Sequence, residues 1–300
     1  MMDRFKIFLL PSVYLAFGIL FLMLITFALN SLPIFEREGI AIYTTNIWRA
    51  AEEPENEFYG ILAAIYGTIY TSIIAIVIAL PVSIGLAIFV IDVAPKKFRE
   101  LLLILTDIMA GLPTIIYGIW GVFILAPIIS KVMIFLYENF SFFPLFSYRN
   151  PTGFSLLTAG ILLAIMVTPF ATALIREAYA AIPHVYREAA HSLALTRYEV
   201  TKLLLGYIKP AIVAGTLLAF GRAVGETVAV SLVVGNSFNI HPSFFAPGYT
   251  ISSLIANQFG NAFAYSYMPY ALFAAGLALF FIGLIVNVTG VLMLRRWKYA

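Results

Sequence analysis

From Ile61 to Ile91 the chain runs 31 residues without one charged side chain, and five other segments approach it in length and apolarity. A helix rises about 1.5 Å per residue and the hydrocarbon core of a bilayer is about 30 Å thick, so roughly 20 apolar residues suffice to cross it. Six crossings take on the order of 120 to 150 residues, which leaves loops but no large soluble domain in 300 residues. The composition agrees: 62% of residues are hydrophobic and 11% charged, against roughly a quarter charged in soluble domains. With no cysteine, disulfide frameworks, thiolate zinc sites and thiol nucleophiles are excluded. The expected fold class is all-α, a polytopic membrane helix bundle of six transmembrane helices forming one domain over residues 1–300.

Ile7 to Leu29 forms the first expected span; behind Arg4 and Lys6 it is too long for a signal peptide and lacks a small-residue cleavage site. Residues 33–59, with Glu36, Glu38, Glu52, Glu53, Glu55 and Glu57, read as an acidic loop. After the second span, Lys96, Lys97 and Arg99 make a short basic turn, and a third span follows from about Leu101 to Ile129. Lys131 to Gly153 reads as an interfacial loop, Phe154 to Ile175 as the fourth span, and residues 176–209 as a helical loop in water. The fifth span covers about Pro210 to Val234, a polar loop occupies 236–268, and the sixth span runs from Pro269 to Leu294 before Arg295, Arg296 and Lys298.

Six spans put both termini on one side. The two terminal segments, the 92–100 turn and the 176–209 loop hold 13 of the 18 basic residues, and the other three loops hold four. Lysine and arginine favour the cytoplasmic side. Both termini and residues 176–209 are therefore expected in the cytoplasm of a multi-pass cell-membrane protein, with 33–59 and 236–268 outside.

Pro81, Gly85, Gly111, Pro113 and Pro169 interrupt apolar spans, as packing kinks or as marks of a path through the bundle. Gly276, Gly283 and Gly290 recur every seven residues in the last span and form a close-approach face for another helix. In the fifth span, Arg222 and Glu226 stand four apart in GRAVGETVAV (221–230), a spacing that places them on one helix face. A charge there costs about 2.5–3.5 kcal/mol on insertion scales. The two are either a self-neutralising structural pair or, beside Gly221, Gly225 and Thr227, the lining of a water-accessible substrate path. Asp107 either balances Arg222 or lies near the cytoplasmic surface. His184 and His191 have no carboxylate at ligand spacing and His241 stands alone, so no metal site is expected. No phosphate-cradling Gly-rich loop and no catalytic constellation is present. This chain is not expected to be an enzyme or to hold a cofactor, and any ATP must bind to another chain.

The 176–209 loop contains REAAHSLALTRYEV (187–200), which resembles the EAA motif of ABC-importer permeases at Glu188, Ala189, Ala190 and Ala194. That family usually has Gly at the Ala194 position and Leu-Pro at Gly206 and Tyr207, which leaves Pro210 to supply a bend. GLPTIIYGIWG (111–121), GRAVGETVAV and GNSFNIHPSFFAPGYTISSLIANQFGNA (235–262) together resemble the C-type permeases, PstC, of phosphate-specific ABC importers, from about residue 60 to the end. The resemblance implies the ABC-importer permease (MetI-like) fold. It implies a heterodimer with an A-type sister permease, two cytoplasmic ATPase subunits that bind ATP and Mg, and an external phosphate-binding protein, with no nucleic acid involved. It also implies a substrate path at Arg222, Glu226, Thr227 and Asn236, and ATPase coupling through Glu188, Ala189, Ala190 and Ala194 in a coupling loop at about 176–209. The rival expectations are a permease for sulfate, molybdate or phosphonate, and an ion-coupled secondary carrier, although no inverted repeat pairs the two halves. No repeated filter supports a channel.

Overall fold

The computed structural model describes residues 2–297, with side chains for residues 10–292. The side chains of Arg4, Lys6, Arg295 and Arg296, and the whole of Lys298, lie outside the described residues. Thirteen α-helices are described: α1 (Met2–Glu38), α2 (Ala41–Thr44), α3 (Leu62–Ile88), α4 (Lys96–Gly111), α5 (Thr114–Trp120), α6 (Ala126–Phe140), α7 (Leu156–Ala180), α8 (His184–Ser192), α9 (Arg197–Tyr207), α10 (Lys209–Gly225), α11 (Val228–Val233), α12 (Ile251–Ala262) and α13 (Met268–Trp297). Among the described residues, five helices are long and apolar enough to cross a membrane: Leu10–Glu38, Leu62–Val93, Thr114–Phe140, Leu156–Ala180 and Met268–Leu292. The pair α9 and α10, bent by 66°, brings the number to six when counted as one broken span. The expected all-α polytopic bundle is therefore what forms.

Parallel helices α3 and α7 make its centre. Gly160 seats against Ile74 and Thr71, and nearer the basic end Ser83 donates to the Thr168 carbonyl at 3.2 Å. Pro81 and Pro169 thus sit inside continuous helices. A methyl on Gly67 would strike the Tyr249 carbonyl, so glycine allows the chain from 236 onward to lie directly on α3. Around this pair the core splits into a middle cluster with α5, α10 and α11, one at the acidic end built on Ile34, Tyr59, Ile61 and Met268, and one at the basic end under α8 and α9.

Four expected boundaries are corrected. The acidic loop does not begin at residue 33, because α1 continues to Glu38. The third span is divided at Leu112–Pro113, where Pro113 has no N–H to continue the helical ladder. Its apolar crossing helix runs on through a π turn at Gly121–Leu125 to Phe140, so Lys131 and Glu138 are helical. Asp107 is exposed on α4, before the break. The polar segment 236–268 is not all loop, for it contains α12, whose first turn is buried. There Thr250 and Ser253 cap one another and Ile251 N–H donates to Thr68 Oγ1 at 2.8 Å. The glycine stripe of α13 is shared between neighbours: Gly276 meets Phe27 of α1, Gly290 meets Leu217 of α10, and Gly283 meets nothing within 4 Å.

The acidic segment folds into a small hairpin, β1 (Trp48–Arg49) paired antiparallel with β2 (Phe58–Tyr59). Glu57, 2% exposed, accepts the Ser266 and Tyr267 N–H groups at 3.0 Å each and the Tyr59 hydroxyl at 2.7 Å. Its carboxylate thereby holds the backbone donors of the two residues that lead into α13. Arg37 of α1 donates to the carbonyls of Pro54, Glu55 and Glu57 and lies 4.4 Å from the Tyr267 ring centre.

Candidate functional site

Arg222 belongs to the last turn of α10, and Glu226 follows as a residue of extended backbone, φ −69° and ψ 126°. The four-residue spacing therefore does not place them on one helix face, since the helix has ended at Gly225. No ion pair joins them; an ion pair does form at the basic end, between Arg187 and Asp92. Glu226 Oε1 instead accepts the Ala229 N–H at 3.3 Å, and Thr227 Oγ1 turns back to the Gly225 carbonyl at 3.3 Å. Ser252, at the start of α12, donates to the Val224 carbonyl at 3.4 Å. Side chains thus take up backbone groups that the break releases, which is the condition for non-helical backbone within a membrane bundle.

The half-buried Arg222 guanidinium lies 5.8 Å from the Phe170 ring centre on α7, within the range of a cation–π contact. On α5, the Tyr117 hydroxyl donates to the Met109 carbonyl at 2.7 Å across the break between α4 and α5. Helices α5 and α11 pack closely, Gly118 against Ala229 and Leu232, and Gly121 against Leu162 and Val233. The interruptions of the third and fifth spans therefore lie beside each other. Arg222, Glu226 and Thr227 are brought together there, whereas Asn236 is not. It stands beyond the far end of the six-residue α11, about 9 Å of helix away, exposed in a left-handed conformation with φ +49°, and donates to the Ser231 carbonyl at 2.8 Å.

The EAA residues divide between two faces of α8. Val185, Glu188, Ala189 and Ser192 fall at helical spacing and are all exposed, with Leu193 74% exposed beyond them. Ala190 points the other way. At 1% exposure it packs in the cluster of Ile175, Tyr179, Val200 and Leu204, so it holds α8 to the bundle and is not available to a second protein. Ala194 is exposed with φ +53°. The Ala194 N–H bonds the His191 carbonyl at 2.9 Å and the Leu195 N–H bonds the Ala190 carbonyl at 3.3 Å, completing a Schellman turn. The bend assigned to Pro210 is present, and that proline stands in the first turn of α10. Phe170, Tyr117 and Ser252 escaped the sequence reading because ordinary core residues look the same; Asp92 and Arg187 carried a signal, an acid just ahead of a basic cluster and an arginine three residues from Ala190.

Residues 93–299 match the family of binding-protein-dependent transport system inner membrane components. A relative from Methanocaldococcus jannaschii, the probable phosphate transport system permease protein PstC, is 59% identical over 297 residues, which cover 99% of this chain and 94% of that protein. The chain belongs to the PstC family of inner-membrane transport permeases. Solved structures share its fold. The methionine ABC transporter MetNI, in inward-facing conformations, aligns with a TM-score of 0.56 at 17% identity, over 79% of this chain and 94% of its own. A bacterial alginate ABC transporter, in complex with an alginate pentasaccharide-bound periplasmic protein, aligns with a TM-score of 0.64 at 15% identity, over 98% and 96%. The bundle is thus an ABC-importer permease fold.

Proposed function

We propose that this chain is the C-type transmembrane subunit of an ATP-driven importer, and that it passes inorganic phosphate through the bundle beside Arg222. The observation that supports this most is the state of Arg222, a guanidinium at a helix break within an apolar bundle with no carboxylate in ion-pair range among the described residues. A charge at such depth costs about 2.5–3.5 kcal/mol on insertion scales, and a planar fork of donors is suited to a tetrahedral oxyanion. The name of the 59% identical relative favours phosphate among oxyanions. Glu226 shapes the break and leaves a negative charge just beyond Arg222, which opposes retention of an anion. Thr227 lies at the same break, and Asn236 belongs to the path at the opposite end of α11.

The outward faces of α5 and α11, with Ile115, Ile116, Ile119 and Leu232 exposed, are where an A-type sister permease completes the path as a heterodimer. Two ATPase subunits, which hold the ATP and Mg, dock on the exposed face of α8 and the Ala194 turn, one on this chain and one on its sister. A phosphate-binding protein delivers at the opposite end. Residues 1–300 form one permease domain, with both termini and residues 176–209 cytoplasmic on the strength of the 13-to-4 basic asymmetry.

The test uses the whole complex in sealed vesicles loaded with ATP. Arg222→Gln is expected to abolish phosphate uptake while the subunits still copurify. Glu226→Gln, whose amide oxygen can still accept the Ala229 N–H, is expected to assemble and to transport more slowly because phosphate leaves more slowly. Full uptake by the assembled double variant Arg222→Gln, Glu226→Gln, or suppression of phosphate uptake by sulfate, molybdate or phosphonate at lower concentrations than phosphate itself, would refute the assignment.

A further inference from the structure

Where α3 ends, its last turn widens into a π turn, Phe89–Val93, and Asp92 projects from it toward α7 and α8. Both carboxylate oxygens are engaged: Oδ1 by the Arg187 guanidinium of α8 at 2.7 Å, and Oδ2 by the Tyr179 hydroxyl of α7 at 2.5 Å. The guanidinium also lies 5.0 Å from the Tyr179 ring centre. A fourth element joins from α4, whose Arg99 donates to the carbonyl of Ile91 at 2.6 Å. An isolated surface ion pair contributes little. This one differs because its third member is 1% exposed and because the Asp92 and Arg187 side chains are themselves only about a quarter accessible, at 23% and 24%. Arg187 and Ala190 are three residues apart on α8, so the polar joint and the buried alanine secure the same face of that helix, opposite Val185, Glu188 and Ala189.

We propose that Asp92, Arg187 and Tyr179 are positioning residues that bolt α8 to the ends of α3 and α7, so that a displacement of the docking helix moves the bundle as a rigid body. The proposal rests on the assignment of α8 as the ATPase-docking helix. Without the joint, α8 is tied to its neighbours by two short links, residues 181–183 and 193–196, and by apolar packing. Apolar packing is non-directional and permits rocking, whereas the two contacts of Arg187, with Asp92 and with the Tyr179 ring, specify an orientation against a pair that Tyr179 and Asp92 fix by their own bond. Mechanical coupling between distant sites travels through such packed and hydrogen-bonded networks.

The test again uses the reconstituted complex. Asp92→Asn and Arg187→Gln are each expected to leave the ATPase copurifying and hydrolysing ATP, while phosphate imported per ATP falls about tenfold, and the double variant falls no further because both changes remove one joint. A merely structural role would lower the yield of complex without altering the phosphate-to-ATP ratio in what assembles. An unchanged ratio in the assembled Asp92→Asn complex therefore overturns the proposal. Should the single variants fail to assemble, Asp92→Cys with Arg187→Cys, joined by a short bifunctional thiol reagent in a chain that has no other cysteine, is expected to restore the ratio. A cross-linked complex that assembles but stays uncoupled also overturns it. Leu193→Asp tests the docking assignment separately: loss of ATPase copurification supports that assignment, and undiminished copurification refutes it and with it the role given to the joint, even where the Asp92→Asn ratio has fallen.

Discussion

Replacing Ala194 by glycine is expected to tighten the turn that follows α8. Ala194 holds φ +53°, a left-handed conformation that costs a residue with a Cβ about 1–2 kcal/mol and that glycine adopts freely. Glycine gives back about 0.5–1 kcal/mol through its greater freedom in the unfolded chain. The two turn bonds, Ala194 N–H to His191 and Leu195 N–H to Ala190, are made by backbone alone and survive the change. The side chain is exposed, so no packing is lost. The balance is a local gain of about 0.5–1 kcal/mol, or amide exchange slowed about two- to fivefold where the turn opens locally. Hydrogen exchange read by mass spectrometry on the purified complex, in peptides covering 184–197 with 96–111 as the internal reference, measures it. Ala194→Val should exchange faster than the parent, since a β-branched residue is a genuine outlier at positive φ. If glycine gave no slowing and valine no acceleration, the turn would not be left-handed and the reasoning would fail.

Sidedness is checked with single cysteines: at Asn56 or Asn239 they should react with an impermeant thiol reagent applied to intact cells, and at Ser192 they should not, the reverse pattern being fatal to the topology. Ala190→Trp should lower the thermal stability of the chain itself, by about 1–3 kcal/mol from overpacking, even in the absence of any ATPase, and normal stability would place Ala190 outside the core. Thr196→Ala removes the cap in which Thr196 and Glu199 bond reciprocally, and should speed amide exchange in the first turn of α9 about fivefold. The Thr196 N–H and then its hydroxyl hold the Glu199 carboxyl below its ordinary value near 4.5. Protection of that turn in the parent should accordingly be constant above that value and decline as the pH falls through the lowered one, and protection that rises on acidification would contradict the cap.

Spans bounded by charge were legible, and those interrupted within apolar sequence were not. The second span, Leu62–Val93, begins and ends within two residues of the uncharged run Ile61–Ile91, and the fourth begins close to Phe154, because a bilayer-length run with polar flanks admits one placement. Pro113 was visible as a breaker but not as a full break, since apolar residues continue on both sides. The break after Gly225 had still less to announce it: Glu226 and Thr227 are compatible with a helix, and the extended backbone at Glu226, with the bonds to Ala229 and Gly225, shows otherwise. That is why the helical spacing of Arg222 and Glu226 misled. Ala190 was read by its size, when its spacing from Arg187 already placed it on a different face from Glu188 and Ala189. In α12, Ser252 and Ser253 look like loop residues until the backbone donors and carbonyls they serve are known.

The acidic hairpin is fastened on both strands. Arg37 grips the segment leading into its return strand at Pro54, Glu55 and Glu57, Glu57 is buried against the Ser266 and Tyr267 donors just before α13, and Trp48 on the outgoing strand lies between Tyr59 and Phe238, with ring centres 4.7 and 5.3 Å away. Between those anchors, Ala51, Glu52 and Glu53 form the tip, where Glu53 accepts a bond from the Asn56 amide at 2.7 Å that stays within the turn. A protease that severed the tip would therefore separate the chain into two polypeptides without releasing either, since the first helix and the last would remain clasped through the hairpin's own side chains. The same geometry makes the tip a permissive place to insert an epitope or a fluorescent tag, and makes residues 54–59 a forbidden one, although in sequence the two neighbouring stretches are equally acidic and equally like a linker.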